Sequence, residues 1–267
     1  MEMSHRISLK DLIAGIDVSR IDGDRDIDIT GVVNDSRLIG PGHLFFALDG
    51  DRVDGRHFIE EAHRGGASAV IGEAPLQVPP GCTGVTILDA RAVIGTVASR
   101  FFDHPSDRLV TIGVTGTNGK TTITYLLESI LRSAGMSPGV VGTINYRFGG
   151  RTLKAVNTTP EAPELQRILD EMAEDGTTHA VMEISSHGLA LGGCRFNVGV
   201  FTNLSQDHLD FHKTMESYLE AKSRLFTSLL FPGQGMDEPI AVINIDDPAG
   251  ARLAGMTVAR VIGYGID

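Results

Sequence analysis

A glycine-rich turn between an apolar run and a helical run constrains this chain more than any other feature. Thr115-Gly-Thr-Asn-Gly-Lys-Thr-Thr122 follows the apolar run 109–114 and opens a helix predicted over 120–134 and stopped by Gly135. The first turn of a helix has N–H groups without intrahelical partners, glycines let backbone approach a phosphate, and a lysine neutralises its charge. Thr121 follows Lys120, which puts a hydroxyl where a phosphate-bound Mg²⁺ would sit. The longer spacing G-x-x-x-x-G-K-S/T would need glycine at 114, where Val114 stands; the turn has the tighter form Gly116-x-x-Gly119-Lys120-Thr121. An ordinary strand-to-helix turn with an incidental lysine is the bland alternative. The strand before and the helix after favour a nucleoside triphosphate site over Gly116, Thr117, Asn118, Gly119, Lys120, Thr121 and Thr122.

Apolar runs alternate with helical patterns on both sides of a polar break. Before it, runs 44–48, 69–71 and 85–88 read as strands, with helices over 55–66 and 90–102. This predicts a small mixed α/β N-terminal domain, residues 1–105. The break at 103–108, Asp-His-Pro-Ser-Asp-Arg, is polar and holds a proline. Beyond it, strands are predicted over 109–114, 140–142, 180–184, 198–202, 240–245 and 258–263, and helices over 120–134 and 161–175. Near-continuous apolar strands alternating with helices predict a P-loop type, mostly parallel sheet with helices on both faces, residues 106–267. The last run stops four residues before the end, so the reading is of an incomplete central domain. A short tail after an edge strand is the alternative.

Four of the nine histidines are His179, His187, His208 and His212. Glu183-Ile-Ser-Ser-His187 leaves the 180–184 strand at its C-terminal end, and Thr202-Asn-Leu-Ser-Gln-Asp-His208 leaves the 198–202 strand likewise. Ligands of open parallel sheets bind at those ends, so both loops are expected to converge on the phosphate turn. Glu183, Asp207 and His208 are then candidate ligands for Mg²⁺, a hard cation that prefers oxygen. Any one of these histidines alone reads better as structural; the acidic cluster with histidine beside a phosphate loop reads as functional. Lys222 lies in the amphipathic stretch 218–226, Tyr-Leu-Glu-Ala-Lys-Ser-Arg-Leu-Phe, and by spacing alone it is a solvated lysine.

Composition narrows the partners. With 23 Lys+Arg against 34 Asp+Glu the net charge is −11, which argues against nucleic-acid binding. An anionic ligand therefore needs a local site built from backbone N–H groups or a metal. Cys82 and Cys194 make neither a disulfide framework nor a four-ligand zinc site. No run of 18 apolar residues is present and residues 1–10 lack an apolar signal core, so no membrane span is predicted and the cytoplasm is the expected compartment.

Five motifs in order carry a family likeness: Gly116-Thr-Asn-Gly-Lys-Thr-Thr122, Asn157-Thr-Thr-Pro160, Glu183-Ile-Ser-Ser-His187, Thr202-Asn-Leu-Ser-Gln-Asp-His-Leu-Asp-Phe-His212 and Ala221-Lys222. They resemble the Mur ligases of peptidoglycan synthesis, most of all the branch that adds the third amino acid. The resemblance covers essentially the whole chain, since Asn34-Asp-Ser-Arg37 and Gly50-Asp-Arg-Val-Asp-Gly55 are similar to the family's uridine-binding segments. It implies that ATP phosphorylates the terminal carboxylate of UDP-MurNAc-L-Ala-D-Glu. The amine of meso-diaminopimelate or L-lysine then attacks the acyl phosphate. The implied cofactors are ATP and Mg²⁺, and no obligate protein partner is implied.

The resemblance also implies residue roles. Lys120 would stabilise the γ-phosphate, and Thr121 with Glu183 would hold one Mg²⁺. Lys222 would carry a carbamate (N6-carboxylysine) and join His208 on a second Mg²⁺, so that Lys120, Lys222 and His208 are the catalytic set. Asn157, Thr158, Thr159 and Ser185 would bond the muramoyl dipeptide, Asn34 and Ser36 the uridine end, and Asn203 and Asn244 the adenine. Where the family usually has an Arg-Val pair after the serine–histidine motif, this chain has the shorter Gly192-Gly-Cys-Arg-Phe196, which makes Arg195 the candidate substrate arginine. Lys213 stands where the family commonly has glycine. The family's third, Rossmann-like domain has no counterpart here, so this chain alone is expected to be inactive. Two alternatives compete: another ligase of this chemistry, such as a folylpolyglutamate or cyanophycin enzyme, and a non-catalytic nucleotide-binding fragment.

Overall fold

The computed structural model describes residues 5–50, 53–155, 157–186, 192–207 and 212–266. Two compact units divide the chain: Met1–His104 with Ala162–Gln166, and Pro105–Glu161 with Arg167–Asp267.

The first unit runs β1 (Ile7–Ser8), α1 (Leu9–Leu12), β2 (Val18–Asp22), β3 (Asp28–Ile29), β4 (Gly31–Val33), β5 (His43–Ala47), α2 (Ile59–Arg64), β6 (Ala69–Gly72), β7 (Thr83–Ile87) and α3 (Ala90–Phe101). Its main sheet has the order β2-β7-β6-β5-β4, with β4 to β7 parallel and β2 antiparallel at the edge. Side chains alternate faces along a strand, and the core divides accordingly. Leu44 and Phe46 pack with Ile71, Val85 and the α3 residues Ile94 and Val97, while Phe45 and Ala47 pack with Val70 and the α2 residues Ile59 and Ala62. Asp89 starts α3 by accepting the Ala92 N–H at 2.8 Å. The helix predicted over 55–66 is a 3₁₀ turn, Gly55–Phe58, followed by α2.

The second unit runs β8 (Val110–Thr115), α4 (Lys120–Ser133), β9 (Pro138–Val141), β10 (Asn145–Phe148), β11 (Arg151–Lys154), α5 (Ala162–Glu174), β12 (His179–Glu183), β13 (Val198–Phe201), α6 (Met215–Ser228), β14 (Ile240–Asn244), α7 (Pro248–Met256) and β15 (Arg260–Tyr264). Eight strands lie in the order β11-β10-β9-β12-β8-β13-β14-β15. The six from β9 to β15 are parallel, and the β10–β11 hairpin continues the sheet antiparallel.

Helices cover both faces of this sheet, as predicted. Ile112, Val114, Val140, Val181 and Val200 form one face, against Ile123, Leu127 and Leu131 of α4. The intervening positions face the other way. Gly113 and Gly199 are register partners on β8 and β13. A Cβ on Gly113 would lie 3.0 Å from Leu225 and one on Gly199 would lie 3.0 Å from Phe226, both on α6. Two glycines side by side thus let α6 settle directly onto the strand backbones, and this close seat delivers one α6 side chain to the functional site.

Candidate active site

β8 ends at Thr115 and α4 begins at Lys120, so the turn between them stands at the C-terminal edge of the parallel strands. Gly116 (φ +145°) and Gly119 (φ +85°) adopt backbone conformations that side-chain-bearing residues rarely take. Gly119 is the N-cap of α4 and no side chain caps it, so the positive end of the helix dipole opens onto the turn. The loop after β13 clamps this turn. Thr117 N–H donates to Asn203 O at 2.8 Å, Asn118 N–H to Asn203 Oδ1 at 3.0 Å, and Thr202 Oγ1–H to Asn118 O at 2.6 Å. Asn203 Nδ2 returns a bond to Asn118 O at 3.1 Å, and Asn244 Nδ2 donates to Thr202 O at 2.8 Å. Asn203 and Asn244 therefore shape the cradle through backbone partners. Thr122 is exposed in the first turn of α4.

Glu183 is the last residue of β12 and is 2% exposed. Its Oε2 accepts from Thr121 Oγ1 and Thr143 Oγ1, each at 2.9 Å, and its Oε1 accepts the Thr143 N–H at 3.1 Å. The segment Asn157–Thr159 joins the same cluster. Thr158 Oγ1 lies 3.2 Å from Thr143 Oγ1, Thr159 Oγ1 donates to Glu183 O at 2.9 Å, and Ser185 N–H donates to Thr159 Oγ1 at 3.0 Å. Tyr146 OH donates to Asn157 O at 2.8 Å. Glu183, Thr121, Asn157, Thr158, Thr159 and Ser185, read separately from sequence, thus share one hydrogen-bonded neighbourhood.

Two lysines meet in the turn. Lys120 Nζ donates to Gly116 O at 3.0 Å and Thr117 O at 2.9 Å, and Lys222 Nζ donates to the same Gly116 O at 3.0 Å. Lys222 also lies 4.3 Å from the centre of the Tyr218 ring. Burial, and after it the nearby Lys120 charge, lower the pKa of Lys222 to about 7 against the opposing pull of Asp207. Lys120 is lowered as well, by burial, against the pull of Glu183 and Asp207. The solvated lysine expected from spacing is a correction: Lys222 is 2% exposed, because the Gly113–Gly199 pair seats α6 against the sheet beneath the turn.

Other expected residues lie elsewhere. Arg195 is a correction. It precedes β13, its carbonyl accepts from Thr111 Oγ1 at 2.7 Å and its guanidinium reaches Asp107 at 3.4 Å. That is the N-terminal edge of the sheet, and the phosphate turn is at the opposite edge. His179 opens β12 at that same N-terminal edge and bonds Thr178 Oγ1 at 2.8 Å, in keeping with the structural reading of a single histidine. His208 and His187 lie outside the described residues. In the first unit, Asn34 and Ser36 follow β4 at the C-terminal edge of its parallel strands. Beside them Asp35 pairs with Arg37 at 2.6 Å, and that bond holds the carboxyl pKa low.

The oxygen donors at Thr121 and Glu183 suit Mg²⁺, which binds one or two protein oxygens and completes its shell with phosphate and water. Gly142 leaves room for this carboxylate, since a Cβ there would collide with it. Lys222 as a free amine does not suit a cation. Among the described residues no group of three or more His, Cys, Asp and Glu side chains is placed to hold a metal ion by itself. Sequence reasoning missed Thr143, although it too follows a parallel strand at its C-terminal end, the position that picked out the other loops.

Comparison with known proteins adds the following. Residues 114–267 match the Mur ligase middle domain and residues 28–108 match the Mur ligase family, catalytic domain. UDP-N-acetylmuramoyl-L-alanyl-D-glutamate–2,6-diaminopimelate ligase of Geobacter metallireducens is 47% identical over 261 residues, covering 97% of this chain and 51% of the relative. The Geobacillus thermodenitrificans protein of the same name is 45% identical over 245 residues, 90% of this chain and 49% of its own. A solved structure of a ligase of that name superposes with a TM-score of 0.80 at 33% identity, over 97% of this chain and 52% of the other. The chain spans about half the length of the curated relatives it matches.

Proposed function

Because the chain belongs to the Mur ligase family, we propose that it forms the UDP-muramoyl-dipeptide-binding and ATP-binding parts of a cytoplasmic ligase of peptidoglycan precursor synthesis. The ligase joins a diamino acid, diaminopimelate by analogy with the named relatives, to UDP-MurNAc-L-Ala-D-Glu. The single observation that carries this reading is the bonded cluster joining the phosphate turn, Glu183 and the 157–159 segment. A nucleotide and a peptide carboxylate held at those two sides would face each other across Glu183. Residues 1–105 supply the uridine contacts through Asn34 and Ser36, and residues 106–267 carry the chemistry.

In the proposed reaction a carboxylate oxygen of the dipeptide attacks the γ-phosphorus and ADP leaves with the bridging oxygen. The amine then attacks the acyl carbon, loses a proton, and expels phosphate as the amide forms. The turn N–H groups and Lys120 hold the phosphates and balance charge on the transferred group. Thr121 and Glu183 would hold Mg²⁺, which supplies charge neutralisation at the phosphate oxygens when bound. Thr158, Thr159 and Ser185 orient the attacking carboxylate, which matters because in-line placement supplies much of the acceleration in phosphoryl transfer. Among the described residues no helix is long and apolar enough to cross a membrane.

The test joins this chain to the remaining half of the Geobacter metallireducens relative, with that relative intact as the positive control. Phosphate release is followed with ATP, Mg²⁺, UDP-MurNAc-L-Ala-D-Glu and either meso-diaminopimelate or L-lysine. Release that requires both the dipeptide and diaminopimelate is expected. No release with any diamino acid, from a fusion that binds ATP, rejects the proposal. UDP titrated into the 267-residue chain separates this reading from a folylpolyglutamate-type ligase, for which no saturable UDP binding is expected.

A further inference from the structure

Thr143 stands where β9 gives way to a loop, in the strand beside β12. In the parallel register Met182 pairs with Val141, so Gly142 falls opposite Glu183 and Thr143 comes just after it. This one residue contacts both carboxylate oxygens, its N–H on Oε1 at 3.1 Å and its hydroxyl on Oε2 at 2.9 Å. Contacts on the two oxygens from one residue fix the plane of the carboxylate as well as its position; Thr121, which reaches only Oε2 at 2.9 Å, fixes neither alone. A hydroxyl carries a single proton and a carboxylate can only accept. Thr143 therefore gives its proton to Glu183 at the shorter distance of 2.9 Å, and the Thr158 hydroxyl lies 3.2 Å from the same Oγ1. Thr143 thus stands between the proposed dipeptide loop and the proposed metal carboxylate, in contact with both. Gly142 is the other half of the arrangement: its φ lies outside the left-handed region, and a Cβ would stand 3.0 Å from Glu183 Cδ and collide with Oε1.

We propose that Thr143 is a positioning residue that clamps Glu183 in the orientation needed to hold a divalent cation on bound nucleotide, and that Gly142 is glycine to admit that carboxylate. The inference rests on the ligase reading above. Groups that orient a metal ligand typically change metal affinity 10- to 100-fold when removed.

The experiment measures Mn²⁺ affinity by electron paramagnetic resonance in the 267-residue chain saturated with the β,γ-imido analogue of ATP, with urea unfolding as the control for fold. Thr143→Val, which keeps shape and loses the hydroxyl, is expected to weaken Mn²⁺ about 10-fold. Thr143→Ser is expected to bind as the parent chain does, a rescue that a merely structural role would not produce. Gly142→Ala is expected to weaken Mn²⁺ as well, by displacing the carboxylate. Mn²⁺ affinity within twofold of the parent in Thr143→Val, while Glu183→Ala weakens it, overturns the clamp and leaves the ligase reading intact. Unchanged affinity in Glu183→Ala overturns both. Should Thr143→Val fail to fold, Gly142→Ala decides: unchanged affinity there overturns the inference.

Discussion

Replacing Lys222 by alanine is expected to lower ligation by the fusion described above on the order of 10²- to 10³-fold, with added acetate or bicarbonate modulating what remains. The reason lies in where the amine is buried. Lys222 is 2% exposed, shares the Gly116 carbonyl with Lys120, and sits over the Tyr218 ring. Withdrawal from water, and after it the Lys120 charge, disfavour the ammonium and bring its pKa down to about 7, with Asp207 working against both. Above that pH the amine is mostly neutral and nucleophilic, which is the form that condenses with CO₂. The product is an anion with oxygen donors, so a group unsuited to a cation becomes suited to one. The pH dependence has a definite sign. A ¹³C resonance of a carbamate on Lys222, formed from labelled bicarbonate, is expected to grow as pH rises through about 7 and to be lost below it. Turnover in Lys222→Ala equal to the parent would refute the assignment.

Lys120→Ala carries the other large loss, on the order of 10³-fold in phosphate release, together with a weaker grip on the ATP analogue. Lys120 ties the turn to itself through Gly116 O and Thr117 O at 3.0 and 2.9 Å, so its ammonium already stands within the cradle that α4 opens. Burial lowers its pKa, and its neighbours Glu183 and Asp207 favour the charged form against that burial. Lys120→Arg is expected to fail nearly as badly. A planar guanidinium cannot reproduce two short bonds from one point charge to adjacent carbonyls. Phosphate release within threefold of the parent in Lys120→Ala would show that the turn does not handle the transferred group.

Much of this was written in local sequence. The turn 116–119 needed only glycine at two positive-φ positions and a helix after them. Apolar runs marked β5, β6 and β7 of the first sheet and the six parallel strands of the second, while β2 and β4 fall outside the runs read as strands. The β10–β11 hairpin carried its own signal in Gly149 and Gly150, both at positive φ, of the kind that closes two-residue hairpin loops. Lys222 was illegible for a tertiary reason. Glu216, Glu220, Arg224 and Thr227 make one exposed stripe on α6, whereas Tyr218, Leu219, Ala221, Lys222, Ser223, Leu225 and Phe226 are all buried. Lys222 therefore lies on the covered side of an amphipathic helix whose depth local sequence does not report. Its depth is set by Gly113 and Gly199, on strands more than 20 residues away in sequence. Arg195 misled because motif order says which residues follow a strand, whereas the fold decides which end of the sheet they occupy. Thr143 needed the β9–β12 register, which no spacing within one strand contains.

The central claim is that the glycine turn and Glu183 form one nucleotide and divalent-cation site. Its most direct test is a crystal of this chain grown with Mn²⁺ and the β,γ-imido analogue of ATP, with anomalous scattering collected for manganese. The account requires the triphosphate against the N–H groups at the start of α4, and a manganese peak bonded to Thr121 Oγ1 or Glu183 at about 2.1 Å. A triphosphate bound away from the turn, or manganese on neither residue, would contradict it.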